Sequence, residues 1–261
     1  MENGRAERLE VRGVGLNTLR GGEGPPLIYL HGAGGGGMWW PFLEALAGEF
    51  DVYAIEHPGF GQSDDPEWIE TIHDIPYLYL DLLAQLGQGP VHLIGESLGG
   101  WISAEMAVRS TRDIASLALV GPAGLVSQEH PTSDIFIWDL EQTAENLFLD
   151  SQLRQGFLAA AGDMDQLEVN LKNRATTAKL AWNPRFHNPH LHKWLHRIAV
   201  PTLVVWGEQD RVIPVQVAEE WLPRLPQARR AVIGESSHLP HVEQPQAFLD
   251  AVMPFFREVQ S

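Results

Sequence analysis

Short runs of apolar residues recur along the chain, and each run ends at glycine, proline or a polar residue. Their length and their content of Val, Ile and Leu are typical of strands that a parallel sheet buries on both faces. The pattern predicts six such strands: PPLIYLHG (25–32), FDVYAIEHPG (50–59), GPVHLIGES (89–97), IASLALVGP (114–122), PTLVVWGEQD (201–210) and RRAVIGESSH (229–238).

Amphipathic stretches alternate with these runs, and their apolar residues are spaced as on one face of a helix. They include WPFLEALAGEF, WISAEMAVRS, VQVAEEWLPRL and QAFLDAVMPFFREV. Repeated units of strand, crossover helix and strand predict an α/β fold with a mostly parallel, doubly wound sheet. Such sheets bind ligands beyond the carboxyl ends of their strands, so we expect the functional residues there.

One long interval breaks the alternation. Between about residues 124 and 196 no strand-like run occurs, while SDIFIWDLEQTAENLFLD, QLRQGFLAAA and QLEVNLKNRATTAKLAW all show helical patterns. We interpret this interval as a helical lid inserted between two strands. The predicted organisation is a core of residues 1–123 and 197–261 with a lid of residues 124–196.

The composition of the chain excludes several classes of binding partner and of active site. The chain carries 34 acidic against 18 basic residues, a formal charge of -16, which argues against nucleic acid or an anionic membrane as its main partner. It contains no cysteine, which excludes disulfides, thiolate catalysis and cysteine-based zinc sites. The start MENGRAERLE lacks the apolar core of a signal peptide, so we expect a cytoplasmic protein that acts on a small molecule. The sequence does not predict an oligomeric state.

The stretch GESLGG places Ser97 between Gly95 and Gly99, after a predicted strand and before a predicted helix. This is the setting of a nucleophile elbow, in which a sharp turn exposes the serine hydroxyl and the helix N-terminus faces a developing oxyanion. The alternative is an incidental serine in a tight strand-to-helix turn.

A serine hydroxyl needs a general base, and the base needs an acid to orient it. In chain order the acid and then the histidine should follow the serine, each at the end of a strand. Asp210 ends one predicted strand and His238 follows the next, so we predict them as acid and base. Glu208 and His241 are the alternatives.

The stretch HGAGGGGMWW follows the first predicted strand and offers the second half of an oxyanion hole. We predict that the backbone amide of Ala33 acts there together with the amide of Leu98. Several side chains and one glycine are candidates for the substrate pocket: Gly34, Trp39, Phe136 and Trp138, and further Met38, Trp40 and Trp182.

The same loop suggests a competing interpretation. Gly32, Gly34 and Gly37 fit the dinucleotide-binding pattern G-x-G-x-x-G, and Glu56 ends the next strand. However, the alternating segment LEVRGVGLNTL precedes the loop, and the bulky Met-Trp-Trp-Pro follows it where a pyrophosphate would approach. We therefore expect no cofactor.

A histidine cluster in HNPHLHKWLH comprises His187, His190, His192 and His196. Histidines one helical turn apart can bind zinc, but no nearby carboxylate completes a set of ligands. We favour an exposed connection between lid and strand, and expect no metal.

Taken together, HGAGGGG, HPGFGQSD, GESLGG, WGEQDRVIP and SHLPHVEQP resemble the motifs of the α/β-hydrolase fold superfamily, in the order found there. The resemblance covers nearly the whole chain and implies Ser97 as nucleophile, Asp210 as acid and His238 as base. Glu243 and Pro245 follow His238 at the spacing of the family. The chain departs from the family pattern in two places, with Ser237 for the usual glycine and Glu56 for a frequent aspartate.

The resemblance implies a serine hydrolase, and first of all a carboxylesterase that acts on small esters through an acyl-enzyme. The glycine-rich loop is also similar to that of carbon-carbon bond hydrolases of meta-cleavage products, although Leu239 stands where those usually carry tryptophan. Cofactor-free haloperoxidases, lactonases, aminopeptidases and ligand-binding receptors with slow turnover are further alternatives within the fold. A serine nucleophile excludes the branches that use aspartate.

Overall fold

The computed structural model describes residues 4–260, with the side chains of residues 165 and 260 excepted. Its centre is one sheet of eight strands in the order β1-β2-β4-β3-β5-β6-β7-β8. The strands are β1 (Arg5–Val11), β2 (Val14–Gly21), β3 (Pro26–Leu30), β4 (Asp51–Ile55), β5 (Val91–Glu96), β6 (Ile114–Val120), β7 (Thr202–Gly207) and β8 (Ala228–Ile233).

The six strands from β3 to β8 pair in parallel, and they correspond to the six predicted runs. The alternating segment before them forms the hairpin β1-β2, whose partner strands run antiparallel. Arg12 and Gly13 turn this hairpin with φ values of 55° and 75°, the positive angles that a tight two-residue turn needs. Because β2 then pairs antiparallel with β4, the sheet is mostly, not wholly, parallel.

Nine α-helices accompany the sheet among the described residues. They are α1 (Pro41–Leu46), α2 (Ile75–Leu86), α3 (Leu98–Arg109), α4 (Leu140–Leu147), α5 (Ser151–Ala161), α6 (Met164–Ala181), α7 (Ala218–Trp221), α8 (Pro240–Glu243) and α9 (Pro245–Gln260). The stretch VQVAEEWLPRL is not the single helix that its pattern predicts. It divides into a 3-10 turn, the short α7 and a second 3-10 turn that contains Pro223, since proline lacks the N–H that a continuing helix requires.

The two faces of the sheet bury separate cores. One core packs α2 and α3 against the sheet and includes the fully buried rings of Trp101, Trp206 and Trp221. The other packs α1 and α9 against the opposite face, with Phe42, Phe248 and other apolar side chains between them. Burial of such large side chains is the main driving force for folding.

The interval from residue 124 to 196 forms α4, α5, α6 and several 3-10 turns, and its only β pairing among the described residues is a single bridge between Gly124 and His187. Side chains of α6 hydrogen-bond to the loops that follow β3 and β4. This helix therefore lies at the carboxyl ends of the strands. In the part of the chain that the structure describes, no helix has the length and apolar character needed to cross a bilayer.

Candidate active site

Ser97 lies at the sharp turn between β5 and α3, with φ of 51° and ψ of -110°. A residue with a side chain rarely adopts such angles, and holding it there costs about 1–3 kcal/mol. Backbone hydrogen bonds impose the conformation: the Ser97 amide donates to the carbonyl of Val120 over 2.9 Å, and its carbonyl accepts from Trp101 and Ala123 over 3.1 and 3.0 Å. The strain expected of a nucleophile elbow is present at this serine.

The flanking glycines allow the backbone to approach closely. A Cβ atom at Gly95 would lie 2.4 Å from the hydroxyl of Ser103, and one at Gly99 only 2.0 Å from the carbonyl oxygen of Leu30. No side chain fits at either position. The two glycines of the sequence motif are therefore required by the packing of α3 against β3 and β5.

Asp210 and His238 form a buried pair beyond the ends of β7 and β8. Nδ1 of His238 donates to Oδ2 of Asp210 over 2.8 Å. The other carboxylate oxygen, Oδ1, accepts from the amides of Val212 and Ile213 over 2.8 and 2.9 Å. With the carboxylate fixed from both sides, the imidazole is held in the tautomer that leaves Nε2 free to accept a proton.

The pKa of His238 reflects two opposing effects. Burial by itself lowers the pKa of this imidazole, but the charge of Asp210 and the hydrogen bond to it raise the pKa above 6.5. The negative charge of Glu96 adds to the rise. The structure thus supplies an imidazole that takes up a proton more readily than one in water.

The end of β6 links this pair to the serine. A Cβ atom at Gly121 would lie 3.4 Å from Oδ2 of Asp210 and from the ring of His238. Two residues further on, the amide of Ala123 donates to the carbonyl of Ser97. The serine, the histidine and the aspartate therefore gather around one short backbone segment at the carboxyl edge of the sheet.

The alternative acid and base lie elsewhere. Glu208 is exposed, whereas Asp210 is buried. His241 is buried in α8, where its Nε2 lies 3.5 Å from Oε2 of Glu96. Neither alternative makes the contact that joins Asp210 to His238.

Glu96, the residue before the serine, carries a charge that the sequence analysis did not assign to any role. Its carboxylate accepts a hydrogen bond from the hydroxyl of Tyr29 over 2.6 Å. Burial raises the pKa of Glu96, but His241 and Tyr29 outweigh burial and the pKa falls to about 2. The sequence signal for such a group was a single carboxylate at the end of an otherwise apolar strand.

The glycine loop begins with a tight turn over residues 32–35. The amide of Gly35 donates to the carbonyl of Gly32 over 3.2 Å, and Nδ1 of His31 donates to the same oxygen over 2.7 Å. In a trans peptide the carbonyl and the following N–H point in opposite directions. The two donors therefore hold the carbonyl of Gly32, and the amide of Ala33 points to the opposite side of the peptide from that oxygen.

His31 belongs to a buried pair of histidines whose hydrogen bonds fix both tautomers. The backbone amide of His57 donates to Nε2 of His31 over 3.0 Å, so the proton of His31 sits on Nδ1. Nε2 of His57 donates to the carbonyl of His31, and Nδ1 of His57 accepts from the hydroxyl of Tyr79. Burial lowers the pKa of both imidazoles, and the pKa of His57 falls further because His31 lies beside it. Sequence reasoning missed this pair.

Of the four predicted pocket positions, Trp39 packs on a different core from Phe136 and Trp138. Gly34 is exposed, and nothing lies within 4 Å of the place where its Cβ would be. Trp39 instead packs against Gly4 and Gly21 beside the β1-β2 hairpin, and its indole N–H donates to Glu44 over 2.7 Å.

Phe136 stacks on Phe186 with ring centroids 5.3 Å apart and meets Trp182 edge-on at 5.1 Å. Trp138 lies two residues further on, and its carbonyl accepts a hydrogen bond from Arg174 of α6. Both side chains are partly buried and pack against the core on the α2 and α3 face, on which Ala33 of the glycine loop also packs.

Glu56, the acidic residue of the dinucleotide pattern, is buried and engaged. Its Oε2 accepts from the side-chain amide of Asn17 and from the backbone amide of Gln62, each over 2.8 Å. Its Oε1 lies against Gly61 and Gly37. The carboxylate thus ties β2 to the loop after β4 and packs against Gly37 of the glycine loop. Among the described residues no group of three or more histidine, aspartate or glutamate side chains is placed to hold a metal ion.

A family model described as "alpha/beta hydrolase fold" matches residues 25–245. The chain belongs to the α/β-hydrolase fold family. Among its relatives is 2-hydroxy-6-oxo-6-(2'-aminophenyl)hexa-2,4-dienoic acid hydrolase from Metapseudomonas resinovorans, which is 28% identical over 97% of this chain and 92% of its own length. Pimeloyl-[acyl-carrier protein] methyl ester esterase from Aeromonas hydrophila is 30% identical over 93% of this chain and 99% of its own.

Solved structures agree on the fold. The meta-cleavage product hydrolase from Pseudomonas fluorescens IP01 superposes with a TM-score of 0.80 at 20% identity, covering 97% of each chain. At this identity the likeness concerns the fold alone. The two relatives named above are a dienoic acid hydrolase and a methyl ester esterase, so membership of the family does not by itself decide the reaction of this chain.

Proposed function

We propose that this protein is a serine hydrolase that cleaves carboxylic esters of small molecules through an acyl-enzyme. The proposal rests on one observation above all: the buried pair of Asp210 and His238 lies at the same edge of the sheet as the strained Ser97. A hydroxyl, an imidazole and a carboxylate in this order are the groups that acyl transfer to serine requires.

In the proposed reaction, Nε2 of His238 takes the hydroxyl proton as the oxygen of Ser97 attacks the ester carbonyl. The carbonyl oxygen becomes an oxyanion, and the amides of Ala33 and Leu98 donate hydrogen bonds to it. His238 then gives its proton to the departing alcohol, which leaves an acyl group on Ser97. A water molecule repeats the sequence, releases the carboxylic acid and restores the serine.

We further propose that residues 124–196 act as a lid that shapes the pocket. The supporting observation is that α6 makes its hydrogen bonds to the loops at the carboxyl ends of β3 and β4. A helix at this edge borders the space above the serine, where a substrate has to enter.

A second candidate function is the hydrolysis of a carbon-carbon bond in a dienoic acid. The relative from Metapseudomonas resinovorans is named as a hydrolase of a dienoic acid and aligns over nearly the whole chain. The esterase relative from Aeromonas hydrophila is slightly more identical, and Leu239 stands where the carbon-carbon hydrolases usually carry tryptophan. We therefore rank ester hydrolysis first.

The test uses p-nitrophenyl acetate and butyrate beside a ring-fission dienoate, with wild-type protein and Ser97→Ala. We expect ester turnover by the wild type, a fall of several orders of magnitude in the variant, and stoichiometric labelling of Ser97 by a fluorophosphonate probe, read by peptide mass. Ser151→Ala, a change at an exposed serine in α5, is the matched control. A folded Ser97→Ala that retains the wild-type rate would refute the assignment, and faster turnover of the dienoate would favour the second candidate.

A further inference from the structure

Three consecutive carbonyl groups in the turn over residues 32–35 each accept a hydrogen bond from a side chain. The carbonyl of Gly32 accepts from His31, as described above. The carbonyl of Ala33 accepts from the hydroxyl of Thr177 over 2.9 Å, and the carbonyl of Gly34 accepts from the side-chain amide of Asn173 over 3.1 Å. Two of these three donors come from α6, more than 130 residues further along the chain.

Thr177 and Asn173 are four residues apart, so they share one face of α6. Both are buried, with 3% and 6% of their surface exposed. Asn173 uses both ends of its amide, since Oδ1 also accepts from the backbone amide of Gly61 over 2.9 Å. These contacts fix the side chains that hold the turn.

The glycine run has no side chains of its own that could fix its backbone conformation. Gly34 to Gly37 have no side chains, and Gly35 adopts φ of 101°, so the loop has wide conformational freedom. A Cβ atom at Gly35 would lie 2.2 Å from Nδ2 of Asn173, which shows how closely the amide of α6 approaches this backbone. Apart from the hydrogen bond from Gly35 to Gly32, the turn is therefore held by side chains outside it.

We propose that Thr177 and Asn173 are positioning residues that hold the turn so that the Ala33 amide points at the oxyanion. This inference rests on the proposed function. Fixing the carbonyls of Ala33 and Gly34 fixes the two peptide planes that follow the donor amide, so the amide needs no reorganisation when charge develops on the substrate. The role is selective for the transition state, since the neutral carbonyl of a bound ester gains less from the same donor.

Helix α6 then orders the oxyanion hole in addition to covering the site. If this helix moves away, the turn loses two of its three side-chain donors, and the oxyanion hole loses its order. Stabilisation of the oxyanion then requires that α6 is docked on the glycine loop.

The test compares Thr177→Val with Thr176→Val. The neighbouring Thr176 is also buried, but its hydroxyl donates to the carbonyl of Gly59, outside the turn. We expect Thr177→Val to lower kcat for p-nitrophenyl butyrate by about tenfold or more with KM within about twofold. Thr176→Val should keep kcat within about twofold, and Thr177→Ser, which retains the hydroxyl, should restore kcat.

A second variant keeps the test independent of how well Thr177→Val folds. Asn173→Asp preserves the acceptor for Gly61 and replaces the donor to Gly34 by a carboxylate oxygen, so it should lower kcat in the same way. Both variants should weaken binding of a trifluoromethyl ketone, which forms an oxyanion with the serine, by the same factor as kcat. Unchanged kcat in folded Thr177→Val or Asn173→Asp, or an equal loss in Thr176→Val, would overturn the inference. A wild type without ester turnover would instead reject the proposed function.

Discussion

The imidazole of His238 donates to the carboxylate of Asp210 over 2.8 Å, in a site where both side chains are buried. The remaining oxygen of the carboxylate is occupied by two backbone amides, so the pair has one orientation available. This contact joins residues 28 positions apart that follow two neighbouring strands. The proposed role of His238 as general base depends on this contact.

Asp210→Asn tests the orienting role of the carboxylate. The amide that replaces it can present its NH₂ group to Nδ1, which favours the wrong tautomer of His238. We expect kcat for p-nitrophenyl butyrate to fall by about 10⁴-fold, the loss seen when the same change is made in another triad. Glu208→Gln, a change at an exposed carboxylate two residues away, is the control and should leave kcat unaffected. A strong loss in the control variant would point to Glu208 as the acid.

The pH dependence of kcat/KM tests the state of His238. The imidazole must be neutral to accept the serine proton, and its pKa in the folded protein is raised above 6.5. Activity should therefore rise with pH through a midpoint above 6.5. Glu96→Gln removes one of the charges that raise this pKa, so the midpoint should move to lower pH in that variant. A wild-type midpoint below 6.5, or a shift to higher pH in Glu96→Gln, would contradict this account.

His92 should make the fold sensitive to acid. It is buried in β5, and burial lowers its pKa from 6.5 to about 4. Between these values the unfolded chain binds the proton and the folded chain does not, so the free energy of unfolding falls as pH drops, by up to about 3 kcal/mol. Urea unfolding of wild type and His92→Gln at pH 7 and pH 4.5 measures this contribution to the free energy of unfolding. The variant should lack the contribution. The exposed His192→Gln should retain the wild-type difference between the two pH values.

Gly99→Ala tests the close packing at the elbow. The added methyl group would lie 2.0 Å from the carbonyl oxygen of Leu30 and 2.6 Å from that of His31, and neither backbone group can move without disturbing β3. We expect a loss of about 3 kcal/mol or more in the free energy of unfolding, together with loss of activity. Gly156→Ala is the matched control. It lies in α5 with nothing within 4 Å, so it should raise stability by up to about 1 kcal/mol.

The sequence was most informative where a structural feature depends on the residue types within one short segment. The predicted parallel strands are confirmed because a strand buried on both faces needs an uninterrupted apolar run, and the run is visible in the sequence. Gly95 and Gly99 indicated a crowded turn, and the structure has that turn at Ser97. The stretch with Pro223 was less informative, because the helical spacing of its apolar residues continues through this proline whereas the backbone there forms a 3-10 turn.

The direction in which an aromatic side chain points could not be predicted from its position in the sequence. The position of Trp39 next to the glycine loop suggested a pocket residue, yet its ring packs on the glycines of the β1-β2 hairpin. Neighbouring positions in a loop can point to opposite sides, and no periodic pattern in the sequence records which side each one takes.

Local pattern by itself determined the class of fold, the order of its strands along the chain and the elbow around Ser97, because each depends on residues within one short segment. Only the tertiary structure decided which distant groups meet. The contact of Thr177 with Ala33 spans 144 positions, and the pair of His31 and His57 depends on the adjacency of β3 and β4. Hydrogen bonds of this kind leave no periodic pattern in the sequence, because each is made by a single polar side chain. Its partner comes close only when the chain folds.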